Sequence, residues 1–369
     1  MKITSFVKGL YNRLVGGDKR NGLQTTGAQK LLSSKRLWLF IIMTYGGLSL
    51  FSLKKNNEQY SLKLSVSRKV SRISGKFAHL KVPQPLRKPL FTFYSRVYNV
   101  NLEEIENDIE SFESFSKFFT RTIRPRPIDP QPFSLASPAD SRVLTFSEVK
   151  GDEVLIVKGI EYRLGEFLTG INSYKIKDEV LESMKRNPKN KLYQIILYLA
   201  PGDYHRFHSP ADCEFKTRNH IVGKLLPVKE KYVKTHTNVY EKNERVSLFG
   251  DWVQGMMCMV FVGALNVGSI DLNFDSELQT NRKLKMPFTN TDIKIYTENA
   301  ENGTESLDSK GIPSGKSVGK GIPVTKGQEI GKFNLGSTIV LVFEASPDFE
   351  FTVQPGEAVK YGQCIGNSK

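Results

Sequence analysis

The chain has 369 residues, of which 39% are hydrophobic and 11% aromatic, and its formal net charge is +15. This composition excludes a wholly disordered chain, which would have too few apolar and aromatic residues to form a core. The length exceeds that of a usual single domain, and the positive charge predicts an acidic partner, either a nucleic acid or an anionic lipid surface.

The three cysteines, Cys213, Cys258 and Cys364, are far apart and form no C-x-x-C pair. They therefore predict neither a metal site nor a disulfide framework. No zinc-finger spacing or RNA-binding signature accompanies the basic residues, whereas a long hydrophobic segment does. These patterns predict a membrane as the acidic partner, and no nucleic acid.

The N-terminal part has the composition of a targeting leader followed by a membrane anchor. Residues 1–36 are basic and rich in hydroxyl groups, with a single acid, Asp18. This is typical of a transit peptide, although a basic disordered tail is the alternative. Residues 37–53 carry no charge and predict one transmembrane helix at the short end of the usual length. A secretory signal peptide fits less well, because the basic leader is long and no clear cleavage site follows.

Residues 54–121 are predicted to be a basic, membrane-proximal helical region. Between Lys63 and Arg96 apolar residues recur at helical spacing, and Pro83 and Pro85 break the pattern. Such a helix can lie on an anionic membrane surface, or it can pack normally while its lysine stems cover apolar surface. Both interpretations stay open. Residues 101–121 also predict a helix, whose apolar side would belong to the core.

Residues 122–369 have a different texture, with short β-branched runs separated by Gly, Pro and Asp. This pattern predicts a mainly antiparallel sheet. The expected fold class is therefore α+β, with a mainly antiparallel β catalytic domain, N-terminal helices and one transmembrane helix. Residues 298–321 predict an exposed loop. The segment 321–331 resembles the β-turn rhythm of lipoyl and biotinyl carrier domains, which offers a non-enzymic alternative.

A Gly-Ser bond precedes the most apolar strand of this region. Residues 339–343 predict a buried strand, which places Ser337 at its start. Gly336 allows backbone conformations that a Cβ would forbid, as is needed where a peptide carbonyl has to face a side-chain nucleophile. A tight turn that enters a core strand is the plain alternative.

Three motifs occur in a fixed order along the chain: Pro138-Ala139-Asp140, Tyr204-His205-Arg206-Phe207-His208 and Leu335-Gly336-Ser337-Thr338. With them the chain resembles the pyruvoyl-dependent phosphatidylserine decarboxylases of the mitochondrial, Leu-Gly-Ser-Thr type. The likeness runs from about Pro89 to the C-terminus. It includes Phe118-Phe119-Thr120-Arg121, Asn243-Glu244-Arg245-Val246 and the segment 262–270.

The resemblance implies a self-processing reaction carried out by Asp140, His208 and Ser337. In such a triad the histidine accepts the serine proton, and the carboxylate fixes the tautomer of the ring. The target would be the chain's own Gly336 carbonyl. An N-to-O acyl shift and β-elimination would then release a β chain ending at Gly336. The α chain would begin at the former Ser337, converted into a pyruvoyl group.

The resemblance also implies the substrate and the turnover chemistry. Phosphatidylserine in the membrane would lose carbon dioxide to give phosphatidylethanolamine, with the covalent pyruvoyl group as electron sink in place of pyridoxal phosphate. His205 would be the proton donor. His205 and His208 are three residues apart in a predicted loop and are expected to point to different sides. Arg206 is a candidate for the phosphodiester, but a surface ion pair is at least as good an interpretation.

Two other functions remain open from the sequence. One is a serine hydrolase that uses Asp140, His208 and Ser337 on an external substrate. The other is a membrane-anchored adaptor with a lipoyl-like β domain. For the decarboxylase, the leader and anchor predict a single-pass protein of the mitochondrial inner membrane with its catalytic domain in the intermembrane space. Its own β and α chains would form a heterodimer, no metal is expected, and homo-oligomer formation is left open.

Overall fold

The computed structural model describes residues 64–149, 153–156, 160–170, 184–228, 230–233, 235–236, 238–265, 269–283, 291–296, 321–334 and 336–368. The predicted leader at 1–36 and the predicted transmembrane helix at 37–53 lie outside this range. Among the helices within it, none is both long enough and apolar enough to cross a membrane.

Two helices, α1 (Leu64–Ala78) and α2 (Gln84–Tyr98), occupy the region that the sequence predicts to be helical and membrane-proximal. The helical conformation is interrupted between them, just before the first turn of α2. Pro85 is tolerated in this turn because the first helical N–H groups have no intrahelical acceptor. Asn99 ends α2 in the left-handed conformation. The predicted interruption of the helical pattern at the prolines is confirmed.

The helix predicted for residues 101–121 is wrong. The segment contains only a 3₁₀ helix at Ile109–Ser111 and the short helix α3 (Phe115–Phe119). Ile105 forms an antiparallel bridge with Ile123, which extends the backbone before α3. The apolar side chains still reach the core, because Phe112, Phe115 and Phe118 pack with the buried residues of α2. The apolar pattern identified core residues but not the backbone that carries them.

The remaining helices are short: α4 (Leu164–Thr169), α5 (Glu230–Val233) and α6 (Val239–Lys242). The strands are β1 (Ser134–Ala136), β2 (Ser141–Glu148), β3 (Glu153–Ile156), β4 (Ile160–Arg163), β5 (Lys191–Leu199), β6 (Arg206–His208), β7 (Cys213–Ile221), β8 (Arg245–Trp252), β9 (Gly255–Val262), β10 (Ile270–Leu272), β11 (Thr291–Ile295), β12 (Ile322–Val324), β13 (Glu329–Phe333), β14 (Ser337–Ala345), β15 (Glu350–Phe351), β16 (Ala358–Val359) and β17 (Cys364–Asn367).

Among the described residues, these strands form one large sheet and three small ones. The large sheet has the order β11-β7-β8-β9-β14-β5-β2-β16, with β12 also paired to β7. Its neighbours run antiparallel. The small sheets are β1-β17-β15, β10-β13-β6 and β3-β4. The predicted antiparallel β domain with N-terminal helices is confirmed for the part of the chain that the structure describes.

Strand β14 lies at the centre of the large sheet, between β9 and β5, and all nine of its residues are buried. Successive side chains of a strand point to opposite faces. Ile339, Leu341 and Phe343 accordingly join one core cluster, while Val340 and Val342 join the other. Because both neighbours pair with β14, Ser337 at its start is held in a rigid frame.

Helix α2 lies against the loop that joins β5 to β6. The hydroxyl of Tyr94 donates a 2.6 Å hydrogen bond to the carbonyl of Pro201. A Cβ on Gly202 would lie 2.0 Å from the carbonyl oxygen of Tyr98, so only glycine allows this close approach. Helix α2 therefore helps to fix the loop that carries His205 and leads into β6, where His208 lies.

Candidate active site

Ser337 is the first residue of β14, and it is fully buried. Its partner on β5 is Leu199. The Ser337 hydroxyl has no hydrogen-bond partner among the described residues. Gly336, just before it, has a φ of 55°, in the left-handed region that residues with a Cβ rarely adopt. A free hydroxyl thus adjoins a peptide bond whose conformation depends on glycine.

His208 ends β6 and makes two hydrogen bonds through its ring. Nδ1 lies 2.8 Å from the carbonyl oxygen of Gly327, which can only accept, so Nδ1 carries the proton. Nε2 then accepts from the Tyr204 hydroxyl at 3.1 Å. Burial lowers the pKa of His208, although the Gly327 bond opposes this. The ring is therefore a neutral imidazole whose Nε2 is the basic atom.

Asp140 follows β1 in the Pro-Ala-Asp turn and is buried among cations. Both carboxylate oxygens accept from the Arg126 guanidinium. Nζ of Lys360 lies 3.1 Å from one oxygen, and the Tyr361 backbone N–H donates to the other at 3.0 Å. Burial raises the pKa of Asp140, but Arg126 and Lys360 outweigh it and hold the pKa below the ordinary value. Asp140 is therefore ionised.

Asp140 and His208 lie in one cluster although they do not bond to each other. The backbone N–H of His208 donates a hydrogen bond to the carbonyl of Pro138 at 2.8 Å. Tyr361, which binds Asp140 through its N–H, stacks on the His208 ring with centroids 4.2 Å apart. Within the described range, no hydrogen bond joins Asp140 to His208 or His208 to Ser337. The predicted triad is thus not connected by direct hydrogen bonds in this conformation.

His205 has surroundings quite different from those of His208. Its Nδ1 donates to the carbonyl of Asp203 at 2.8 Å, and its ring lies 4.0 Å from that of Phe119. Nε2 has no partner in the described part of the chain. Burial lowers the pKa of His205 to about 3. The two histidines have separate partners, as their spacing predicts, and His205 carries a free lone pair in an apolar setting.

Arg206 matches the plain interpretation given to it. Its guanidinium pairs with Glu329 at 2.9 Å and donates to the carbonyl of Thr120.

Asp203, by contrast, was not singled out by any sequence pattern. Its carboxylate accepts from the Ala200 N–H at 2.7 Å, and burial raises its pKa to about 6.

Several further contributors to the site also went unpredicted. Arg126, Lys360 and Tyr361 lie outside the three motifs and have common residue types, so no sequence pattern marks them. Tyr204 and Arg121 do lie in segments that carry the family resemblance, and this position is the sequence signal that marks them.

Comparison with known proteins assigns the family. The family model described as Phosphatidylserine decarboxylase matches residues 115–367. This chain belongs to the phosphatidylserine decarboxylase family. It is 36% identical over 347 residues to "Phosphatidylserine decarboxylase proenzyme 1, mitochondrial" of Arabidopsis thaliana, covering 82% of this chain and 72% of the relative. It is 35% identical over 313 residues to "Phosphatidylserine decarboxylase proenzyme, mitochondrial" of Cricetulus griseus, with the same coverage.

A third relative is "Phosphatidylserine decarboxylase proenzyme 1, mitochondrial" of Schizosaccharomyces pombe, 33% identical over 366 residues, covering 81% of this chain and 80% of the relative. Family membership makes this chain a carboxy-lyase. It thereby decides against the serine hydrolase and the lipoyl-like adaptor. The matched region contains Asp140, both motif histidines and Ser337.

Proposed function

We propose that this phosphatidylserine decarboxylase family member makes phosphatidylethanolamine and carbon dioxide with a pyruvoyl group formed from Ser337. The observation that supports this origin of the cofactor is the buried Ser337 hydroxyl, which no described residue hydrogen-bonds, next to Gly336 in its left-handed conformation. A structural serine in a turn would normally satisfy its hydroxyl by hydrogen bonding. A nucleophile directed at the preceding carbonyl has no need of such a partner before it reacts.

His208 is the proposed base for maturation. The carbonyl of Gly327 holds the proton on Nδ1, which leaves Nε2 to take the proton from Ser337. The Tyr204 hydroxyl occupies Nε2 in this conformation, so it has to turn away or pass the proton on. Burial lowers the pKa of His208, whereas the Gly327 carbonyl and the negative charges of Glu329 and Asp140 oppose this and favour the protonated ring that forms. Asp140 therefore assists by charge, through a cluster that Tyr361 holds together.

In the maturation reaction, every bond that breaks is accounted for by one that forms. Ser337 Oγ attacks the Gly336 carbonyl carbon, the peptide C–N bond breaks, and an ester links the two residues. Loss of the Ser337 Cα proton then breaks the Cβ–Oγ bond, which releases Gly336 as the carboxylate end of the β chain. Addition of water and loss of ammonia leave the pyruvoyl group at the start of the α chain.

The two chains are expected to stay together after cleavage. Strand β14 belongs to the α chain, yet it pairs with β9 and β5 of the β chain along most of its length. Lys360 of the α chain also pairs with Asp140 of the β chain. Cutting one peptide bond leaves these contacts intact, so the mature enzyme is a heterodimer of its own fragments.

During turnover the pyruvoyl carbonyl supplies the electron sink for decarboxylation. His205 moves the proton. Its ring is neutral and its Nδ1 proton is held by Asp203, so the free Nε2 first has to accept a proton. The ammonium group of the incoming lipid supplies it once the negative charges of the bound headgroup have raised the pKa of the ring from its value of about 3. Nε2 then returns this proton to the carbon that has lost carbon dioxide. The ring of Phe119 covers His205 and limits exchange of this proton with water.

Intact mass under denaturing conditions tests the proposal. The purified protein should give two polypeptides, separated between Gly336 and Ser337. The smaller one should lack a free amine and carry a carbonyl at its N-terminus. A single uncut chain with full decarboxylase activity would contradict the origin of the cofactor proposed here.

The mitochondrial names of the relatives support a mitochondrial location. The basic leader at 1–36 and the apolar segment at 37–53 support the finer proposal of an inner-membrane protein with its catalytic domain in the intermembrane space. In protease protection, the catalytic domain should survive in intact mitochondria and be digested once the outer membrane is opened. Digestion in intact mitochondria, or protection until the inner membrane is opened, would contradict this topology.

A further inference from the structure

Arg121 is a buried arginine that forms no salt bridge with any residue that the structure describes. The residue lies two positions after the end of α3, and it is 4% exposed. Nη2 donates to the carbonyls of Gly202 and Asp203, at 2.8 and 3.2 Å. Nε and Nη1 have no hydrogen-bond partner within the described ranges. Burial lowers the pKa of Arg121 because the desolvated charge is poorly compensated. Burying an unpaired charge is costly, so this guanidinium is poised for a partner that the described residues do not supply.

The other buried arginines show what a satisfied one looks like in this protein. Arg245 bonds backbone carbonyls through all three of its nitrogens. Arg218 pairs with Asp275 and Asp292. Arg68 also has an unbonded Nε, but its guanidinium pairs with Glu244 at 2.8 Å. Arg121 alone among these four has neither a carboxylate partner nor a complete set of carbonyls.

The guanidinium of Arg121 lies close to His205. Arg121 and His205 both donate to the carbonyl of Asp203. The backbone N–H of Asp203 donates to the carbonyl of Ala200, which closes a four-residue turn. The Cα atoms of the two end residues of such a turn lie within about 7 Å of each other. Leu199, next to Ala200, pairs with Ser337. One short turn therefore connects the arginine, the proposed proton carrier and the serine.

This turn is fixed in place, which makes Arg121 a preorganised donor. Tyr94 bonds Pro201, and the backbone of Tyr98 contacts Gly202 so closely that a Cβ would not fit. Of the three guanidinium nitrogens of Arg121, only Nη2 hydrogen-bonds to this turn. A planar guanidinium with two free nitrogens matches the paired oxygens of a phosphate or a carboxylate.

We propose that Arg121 binds the phosphodiester of the phospholipid headgroup. The inference rests on the proposed function for the identity of the lipid. Both the phosphodiester and the carboxylate of phosphatidylserine lie a few covalent bonds from the amine. Binding the carboxylate would stabilise the group that has to leave and would slow the chemical step. The phosphodiester keeps its charge throughout the reaction, so its binding positions the lipid without that penalty.

The product separates these two anions, because phosphatidylethanolamine retains the phosphodiester and lacks the carboxylate. In cleaved Arg121→Gln, the KM for phosphatidylserine and the Kd for phosphatidylethanolamine in mixed micelles should both rise, by about 10- to 100-fold. A raised KM with an unchanged Kd would assign Arg121 to the carboxylate and overturn the proposal. If neither constant changed, Arg121 would be a brace for the turn only. The Kd does not depend on turnover, so it remains informative even if the proposed reaction failed.

Arg245→Lys is the matched control, since it alters a buried arginine whose nitrogens are already bonded. It should lower the Tm, while the KM for phosphatidylserine and the Kd for phosphatidylethanolamine stay close to the wild-type values. Should Arg121→Gln not fold or not be cleaved, Arg121→Lys gives the answer by another route, because it keeps the positive charge in the buried site. An ammonium group cannot donate two parallel hydrogen bonds to a phosphodiester, so the Kd for phosphatidylethanolamine should still rise. An unchanged Kd would overturn the proposal.

Discussion

Ser337→Ala is expected to leave the protein as one uncut chain with no detectable release of carbon dioxide. The substitution removes the hydroxyl that attacks the Gly336 carbonyl, and no pyruvoyl group can then form. The loss should be complete, because the cofactor itself is absent. A denaturing gel and a carbon dioxide assay on the same preparation provide the measurement.

Thr338→Val is the matched control for this experiment. Thr338 is the next residue of β14, it is fully buried, and its hydroxyl likewise has no partner in the described part of the chain. Valine has nearly the same shape, so an unbonded hydroxyl is lost at little cost in stability. The control should be cleaved normally. Cleavage of Ser337→Ala at the same bond would refute the role of the serine, and failure of Thr338→Val would point to general damage to the strand.

Much of this architecture was accessible from short, local patterns. The buried strand after Gly336 was predicted from its apolar run, and β14 is fully buried at the centre of the large sheet. The prolines that interrupt the helical pattern correctly predicted the break between α1 and α2. Where apolar spacing and chain-breaking residues agree, local sequence is a sufficient guide.

The helix predicted at 101–121 failed for a reason that no local pattern reveals. A helical spacing of apolar residues only requires that these side chains reach the same core. Ile105 achieves this from an extended segment that pairs with Ile123, and Phe115 and Phe118 achieve it from one short helix. Tertiary pairing therefore decided the backbone conformation in place of helical propensity.

The candidate site was predictable as a set of residues and not as a set of contacts. The motifs marked Asp140, His208 and Ser337, but the carboxylate binds Arg126 and Lys360, and the histidine binds Gly327 and Tyr204. Lys360 and Tyr361 approach Asp140 only because β16 pairs with β2 at the edge of the large sheet. This placement depends on strand order, which a single sequence does not display.

His205→Ala is expected to separate formation of the cofactor from its use. The protein should still be cleaved at Gly336, because His208 and the Asp140 cluster are untouched. Carbon dioxide release should fall by about 10²- to 10⁴-fold, the usual contribution of a positioned proton-transfer group, since water can partly replace the imidazole. His208→Ala should instead remain uncut. The comparison requires only gel processing and carbon dioxide release for the two variants.

His205→Asn distinguishes loss of the proton carrier from loss of the loop. The amide N–H can replace Nδ1 as donor to the carbonyl of Asp203, yet nothing replaces Nε2. His205→Asn should thus be as slow as His205→Ala while retaining the wild-type affinity for phosphatidylethanolamine. Because burial places the pKa of His205 at about 3, the ring stays neutral well above that pH, and the ratio of wild-type to variant rates should stay constant between about pH 6 and 8. An uncut His205→Ala, or a fully active His205→Asn, would assign the proton transfer to another group.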